Sequence, residues 1–104
     1  MTRQILAIED EEAIRIILKA SLEFTAGWNV VTAASGKEGL AIAKAKQPDA
    51  ILLDVRMPEI DVISLFHQLR DNASTQTIPI VILTAQARAV ERKKLESMGV
   101  GVIL

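Results

Sequence analysis

Short apolar runs recur along this chain at intervals that leave room for one helix between each pair. They are Gln4-Ile5-Leu6-Ala7-Ile8, Asn29-Val30-Val31-Thr32-Ala33, Ala50-Ile51-Leu52-Leu53, Ile80-Val81-Ile82-Leu83 and Gly101-Val102-Ile103-Leu104. An unbroken apolar run marks a strand buried on both faces, whereas a strand with one wet face alternates polar and apolar residues. Strands that alternate with helices of ten or so residues imply right-handed crossovers and a parallel sheet covered on both sides. The expected architecture is therefore a doubly wound α/β domain.

The intervening segments carry helical signals. After Glu9-Asp10-Glu11-Glu12 the period changes at Ala13, and Ile14, Ile17, Leu18, Leu22 and, less regularly, Phe24 define an apolar face that Gly27 ends. Ser35 with Glu38 forms a capping-box pattern for a second helix running to about Lys46, with Leu40, Ala41, Ala43 and Ala45 inward and Pro48 barring continuation. A polar turn is expected after Pro58, then a helix from about Val62 to Asp71 that turns Ile63, Phe66 and Leu69 inward. A fourth helix is expected from about Ala87 to Ser97, with Val90, Leu95 and Met98 as its apolar positions and Gly99 as its stop.

Composition narrows the class. A length of 104 residues fits one domain, 1–104, and the apolar half of the sequence supplies an aliphatic core with only Phe24, Trp28 and Phe66 as aromatics. A formal charge of −1 provides no basic footprint for nucleic acid. No apolar run approaches the roughly 18 residues of a membrane span, and the N-terminus has no secretory pattern. The absence of cysteine excludes disulfides and thiolate chemistry. A cytoplasmic domain is the expectation.

In sheets of this kind, ligands bind beyond the carboxyl ends of the strands, near a switch in strand order. Strand one runs into Glu9-Asp10, strand three into Asp54 and strand four into Thr84, so acidic and hydroxyl groups are expected to meet on one edge. Alone, Asp54 fits a metal ligand, a nucleophile, a solvated loop residue or a helix cap. Converging carboxylates repel one another, and a hard divalent cation relieves that repulsion. Oxygen-only donors suit magnesium, which keeps several waters and takes one or two carboxylates. Asp10 and Asp54 are the candidate direct ligands. Glu9 reaches a cation directly or through water, and the Arg56 backbone carbonyl is a further candidate donor. Glu11 and Glu12 fit an acidic first helical turn favoured by the helix dipole. His67 is expected on the exposed or boundary side of its helix, and Arg88 and Arg92 as solvated helix charges. Trp28 is expected at the end of the sheet away from Asp54.

Glu9-Asp10, Leu52-Leu53-Asp54-Val55-Arg56-Met57-Pro58 and Ile78-Pro79-Ile80-Val81-Ile82-Leu83-Thr84-Ala85 together resemble the receiver domain of two-component response regulators, over essentially the whole chain. The resemblance implies a flavodoxin-like five-stranded parallel sheet of order 2-1-3-4-5. It implies that Asp54 accepts a phosphoryl group from the phosphohistidine of a sensor histidine kinase or phosphotransfer protein, with Mg2+, and that Thr84 contacts the phosphoryl group and shifts the domain's conformation. Such a domain is not an enzyme beyond its own phosphorylation and dephosphorylation.

The chain departs from the family pattern in four places. Glu9 replaces the first of two aspartates. Asp61-Val62 stands where the family has Asp-Gly, so a differently shaped turn is expected there. Val102 occupies the position of an aromatic switch residue. The family's lysine–proline after strand five and its fifth helix find no counterpart before Leu104, and Lys93 and Lys94 lie on the fourth helix. The sequence thus reads as a receiver with four helices, C-terminally truncated, whose uncovered apolar face over strands one and five favours association, including a possible homodimer. Two other functions fit less of the pattern. One is a pseudo-receiver that binds proteins without phosphorylation; the other is a magnesium-dependent phosphohydrolase, which lacks a general acid–base residue after Asp54.

Overall fold

A computed structural model of the chain describes residues 3–54, 59–83 and 101–103. Its elements are β1 (Gln4–Ile8), α1 (Glu12–Ala26), β2 (Asn29–Ala33), α2 (Gly36–Lys46), β3 (Ala50–Asp54), α3 (Glu59–Asp71), β4 (Ile80–Leu83) and β5 (Gly101–Ile103). All strand pairs are parallel, and the sheet order is β2-β1-β3-β4-β5. The expected fourth helix, with Val90, Leu95, Met98, Arg88, Arg92, Lys93 and Lys94, lies outside the described residues, as does Leu104.

Strand pleating divides the core into two layers. Leu6 and Ile8 of β1, Ile51 and Leu53 of β3, and Ile80 and Ile82 of β4 point to one face. There they pack with Ala43 of α2 and with Leu65, Phe66 and Leu69 of α3. Ile5 and Ala7 alternate to the other face, where Val30 joins them and Leu18 and Leu22 of α1 cover them together with Ala50 and Leu52. An all-apolar groove remains beside α1, lined by Ile5, Leu18, Leu22, Trp28, Leu52 and Val81. This groove lies over β1, β3 and β4; the uncovered face expected over strands one and five is matched at strand one, and the side chains of strand five lie outside the described residues.

The helices follow their signals with several corrections. Gly27 ends α1 in the left-handed region (φ 68°, ψ 21°), where its N–H donates to the Glu23 carbonyl at 3.1 Å. The inward stripe of α1 is Ile14, Leu18 and Leu22, all partly buried, at steps of four residues. Ile17 and Phe24, expected on that stripe, are 58% and 93% exposed. Phe24 is two residues past Leu22, a rotation of about 200° around the helix, and cannot share its face.

At the start of α2, Ser35 Oγ accepts the Glu38 N–H at 3.2 Å, while the Glu38 carboxylate accepts the Ala34 N–H at 3.2 Å. The reciprocal cap therefore forms one residue earlier than the usual box, in which the glutamate reaches the cap residue itself. Gly39 and Ala43 are the buried positions of α2, whereas Ala41 and Ala45 are exposed, because Gly39 lets the helix lie close on Ile8. Gln47 takes the left-handed region (φ 50°, ψ 60°) immediately before Pro48 and ends the helix.

Helix α3 begins at Glu59, not near Val62, so Asp61-Val62 lies within its first turn. A helical backbone has negative φ, which valine adopts readily, so the expected substitute for an Asp-Gly turn does not arise. Leu65 joins Phe66 and Leu69 in the core, and Ile63 is only partly buried. His67 is exposed, as expected.

Candidate metal and phosphoacceptor edge

The carboxyl ends of β1 and β3 are neighbours. Their register runs from Ile5↔Ala50 to Ile8↔Leu53, so the next step along each strand brings Glu9 level with Asp54. On its other side, Asp54 pairs with Leu83 of β4, one residue before Thr84. The backbone thus gathers the strand ends that carry Glu9-Asp10 and Asp54 on one edge of the sheet. The Asp54 carboxylate, the Arg56 carbonyl and Thr84 lie outside the described groups.

Glu9 and Asp10 differ sharply although they are adjacent. Glu9 is fully buried, at 0% exposure, and Asp10 is exposed. The Glu9 N–H donates to the Ala33 carbonyl of β2 at 3.0 Å, extending the ladder one step past Ile8. Its carboxylate Oε1 accepts the Glu11 N–H at 3.0 Å, and its backbone carbonyl accepts Arg15 Nη1 at 2.8 Å. Asp10 is consequently the first residue of the chain to turn out of the sheet with a carboxylate open to solvent.

Arg15 was not legible as a site residue. Acidic and hydroxyl groups were expected here, yet a guanidinium also reaches the backbone of the loop that carries the acids. An arginine one turn into an amphipathic helix resembles any solvated charge, and only the fold shows which carbonyl it reaches. Glu12 is an acid in the first turn of α1, as anticipated, whereas Glu11, expected beside it in that turn, is the extended residue that precedes the helix.

Lys19 and Arg70 tie parts of the scaffold together. Lys19 Nζ pairs with Glu23 Oε2 at 3.0 Å and donates to the Val30 carbonyl at 2.7 Å, tying α1 to β2. Arg70 Nη1 donates to the Gln76 and Ile78 carbonyls at 3.0 and 2.9 Å, and its guanidinium sits 5.2 Å over the Phe66 ring. No three metal-ligating side chains cluster among the described residues, a set that excludes the Asp54 carboxylate. No helix among them is long and apolar enough to cross a membrane.

A five-stranded parallel sheet of order 2-1-3-4-5, with acids at the switch between β1 and β3, defines a flavodoxin-like fold. Comparison with known proteins makes the class specific. The family described as the response regulator receiver domain matches residues 5–104, and the chain belongs to that family. It is 41% identical over 86 residues to the alkaline phosphatase synthesis transcriptional regulatory protein PhoP of Bacillus subtilis, covering 83% of this chain and 35% of that protein. It is 43% identical over 82 residues to the transcriptional regulatory protein AfsQ1 of Streptomyces coelicolor, covering 79% of this chain and 35% of that one. The chain therefore spans about a third of the length of these relatives.

Solved structures agree on the fold. The chemotaxis protein CheY4 of Vibrio cholerae superposes with a TM-score of 0.86 at 29% identity, covering 100% of this chain and 86% of that one. The receiver domain of the sensor histidine kinase PA1611 from Pseudomonas aeruginosa superposes with a TM-score of 0.83 at 29% identity, covering 100% and 84%. That structure holds a magnesium ion coordinated in its active site cleft.

Proposed function

We propose that this chain is a phospho-accepting receiver in which Asp54 takes a phosphoryl group from the phosphohistidine of a sensor histidine kinase or phosphotransfer protein. The observation that carries the reading is the β1–β3 register, which brings the Glu9-Asp10 strand end level with Asp54 at the carboxyl edge of the sheet. An Asp54 oxygen attacks phosphorus as the P–N bond breaks, the bonding electrons return to the imidazole nitrogen, and an acyl phosphate forms on Asp54.

The donor chemistry of this edge fits magnesium. Every side-chain donor is a carboxylate oxygen, and the exposed Asp10 offers one to solvent. Asp10 and Asp54 would hold the ion, with the Arg56 carbonyl as a third donor. Glu9, buried with its carboxylate accepting the Glu11 N–H, would support the ion directly or through water. When bound, Mg2+ neutralises charge on the transferring group, and phosphoryl transfer depends mainly on such electrostatics and on positioning. The magnesium seen in the PA1611 receiver supports the assignment by likeness.

Thr84, one residue past the Asp54↔Leu83 pair, would donate its hydroxyl to a phosphoryl oxygen and draw the following segment toward β3. The new charge on Asp54 then biases the domain between two conformations. The chain performs this self-modification and its reversal without acting as an enzyme on other substrates, and it works in the cytoplasm. Incubation with Mg2+ and a small phosphodonor should add one phosphoryl group to the intact mass in the wild type and none in Asp54→Asn. No gain in the wild type would favour a domain that binds partners without phosphorylation, and steady turnover of phosphate esters would favour a hydrolase.

A further inference from the structure

We propose that Arg15 is the positioning residue that locks the β1–α1 loop so that Asp10 is presented to the metal. This inference rests on the receiver reading of the site. Arg15 lies in the first turn of α1, where the helix dipole disfavours a cation. Its side chain folds back past the helix start and Nη1 donates to the Glu9 carbonyl at 2.8 Å, a charge-assisted bond that offsets that cost. At the same time its own N–H donates to the Glu11 carbonyl at 3.0 Å, the first bond of the helix.

The consequence is that Glu9 is fixed at three points. Its N–H is held by Ala33 of β2, its carboxylate by the Glu11 N–H, and its carbonyl by Arg15. The carbonyl contact is the one made by a side chain from the following helix, so it couples the angle of α1 to the end of β1. Asp10 follows directly and inherits its direction from that fixed residue. Groups that orient a metal ligand through a hydrogen bond are commonly worth tenfold or more in affinity.

Two effects of removing Arg15 have opposite signs. Loss of positioning weakens metal binding, whereas loss of a positive charge beside carboxylates strengthens it. The test is calorimetric titration of Mg2+ into the wild type, Arg15→Gln and Arg15→Lys, with thermal unfolding in EDTA as the measure of fold. The expected result is a dissociation constant about tenfold weaker in Arg15→Gln, a smaller loss in Arg15→Lys, which keeps one charged donor, and little change in metal-free melting. Affinity equal to or tighter than wild type in Arg15→Gln would overturn the proposal. If Arg15→Gln does not fold, Arg15→Lys decides, and wild-type affinity there overturns it. Failure of the wild type itself to bind Mg2+ would instead defeat the reading of the site.

Discussion

Gly39 of α2 and Ile8 of β1 are packed so closely that a side-chain carbon at Gly39 would stand 2.7 Å from Ile8 Cγ1 and nearer still to Cδ1. Ile8 is the last residue before Glu9, so this approach seats α2 against the strand that delivers the acidic loop. Gly39→Ala gains about 1 kcal/mol in helix propensity but must displace a buried isoleucine, and overpacking costs about 1–3 kcal/mol. The variant should be less stable in chemical denaturation. Combining it with Ile8→Val, which removes the nearest atom, should recover part of the loss beyond additivity.

Thr75 is fully buried, and its hydroxyl donates to the Leu69 carbonyl at 2.6 Å, tying the segment after α3 to that helix. Thr75→Val keeps the shape and leaves that buried carbonyl without its donor, at a cost of about 1–2 kcal/mol. Thr75→Ser keeps the bond, so it should retain more stability than Thr75→Val in the same denaturation assay.

The Glu23 carboxyl is held below its ordinary value of 4.5, first by its hydrogen bond with Lys19, then by the Val30 N–H, with burial opposing them and the charge of Lys19 adding the smallest attraction. A carboxyl with a lowered folded pKa contributes stability above its unfolded value and loses it as pH falls through the folded one. Glu23→Gln should therefore melt below the wild type at neutral pH, and the gap should narrow below about pH 4.5. A gap independent of pH would show that the carboxylate charge is irrelevant.

Trp28 directly precedes β2, whose first residue pairs with Gln4 at the start of β1. Glu9 lies five residue steps beyond Gln4, which at about 3.3 Å per residue is roughly 16 Å of strand. Tryptophan fluorescence should change little when Mg2+ is added, and strong quenching would place the metal elsewhere.

Much of this molecule is legible in its residues because strands and caps are local. Unbroken apolar runs mark buried strands, Ser35 and Glu38 mark the start of a helix, and Gly27 marks the end of another. The misreadings share a different cause. Ile17 and Phe24 are apolar yet face outward, and only the sheet's position decides which side of α1 is inward. Gly39 sends no hydrophobic signal although the close approach of α2 to Ile8 depends on it. Glu59 to Asp61 read as a turn because charged residues after a proline resemble one, whereas they open α3. At the site, the strand-end acids stood out by type and spacing. Arg15 did not, since its role is a bond to a backbone carbonyl, and a carbonyl leaves no trace in sequence.

The central claim is that Asp54 is the phosphoacceptor. The most direct measurement is to phosphorylate the chain with a small phosphodonor and Mg2+, reduce the acyl phosphate with borohydride, and locate the modified residue by peptide mass spectrometry. The account predicts conversion at Asp54, absent when EDTA replaces Mg2+ and absent in Asp54→Asn. Modification at Asp10 or at another carboxylate, or equal yield without the metal, would contradict it.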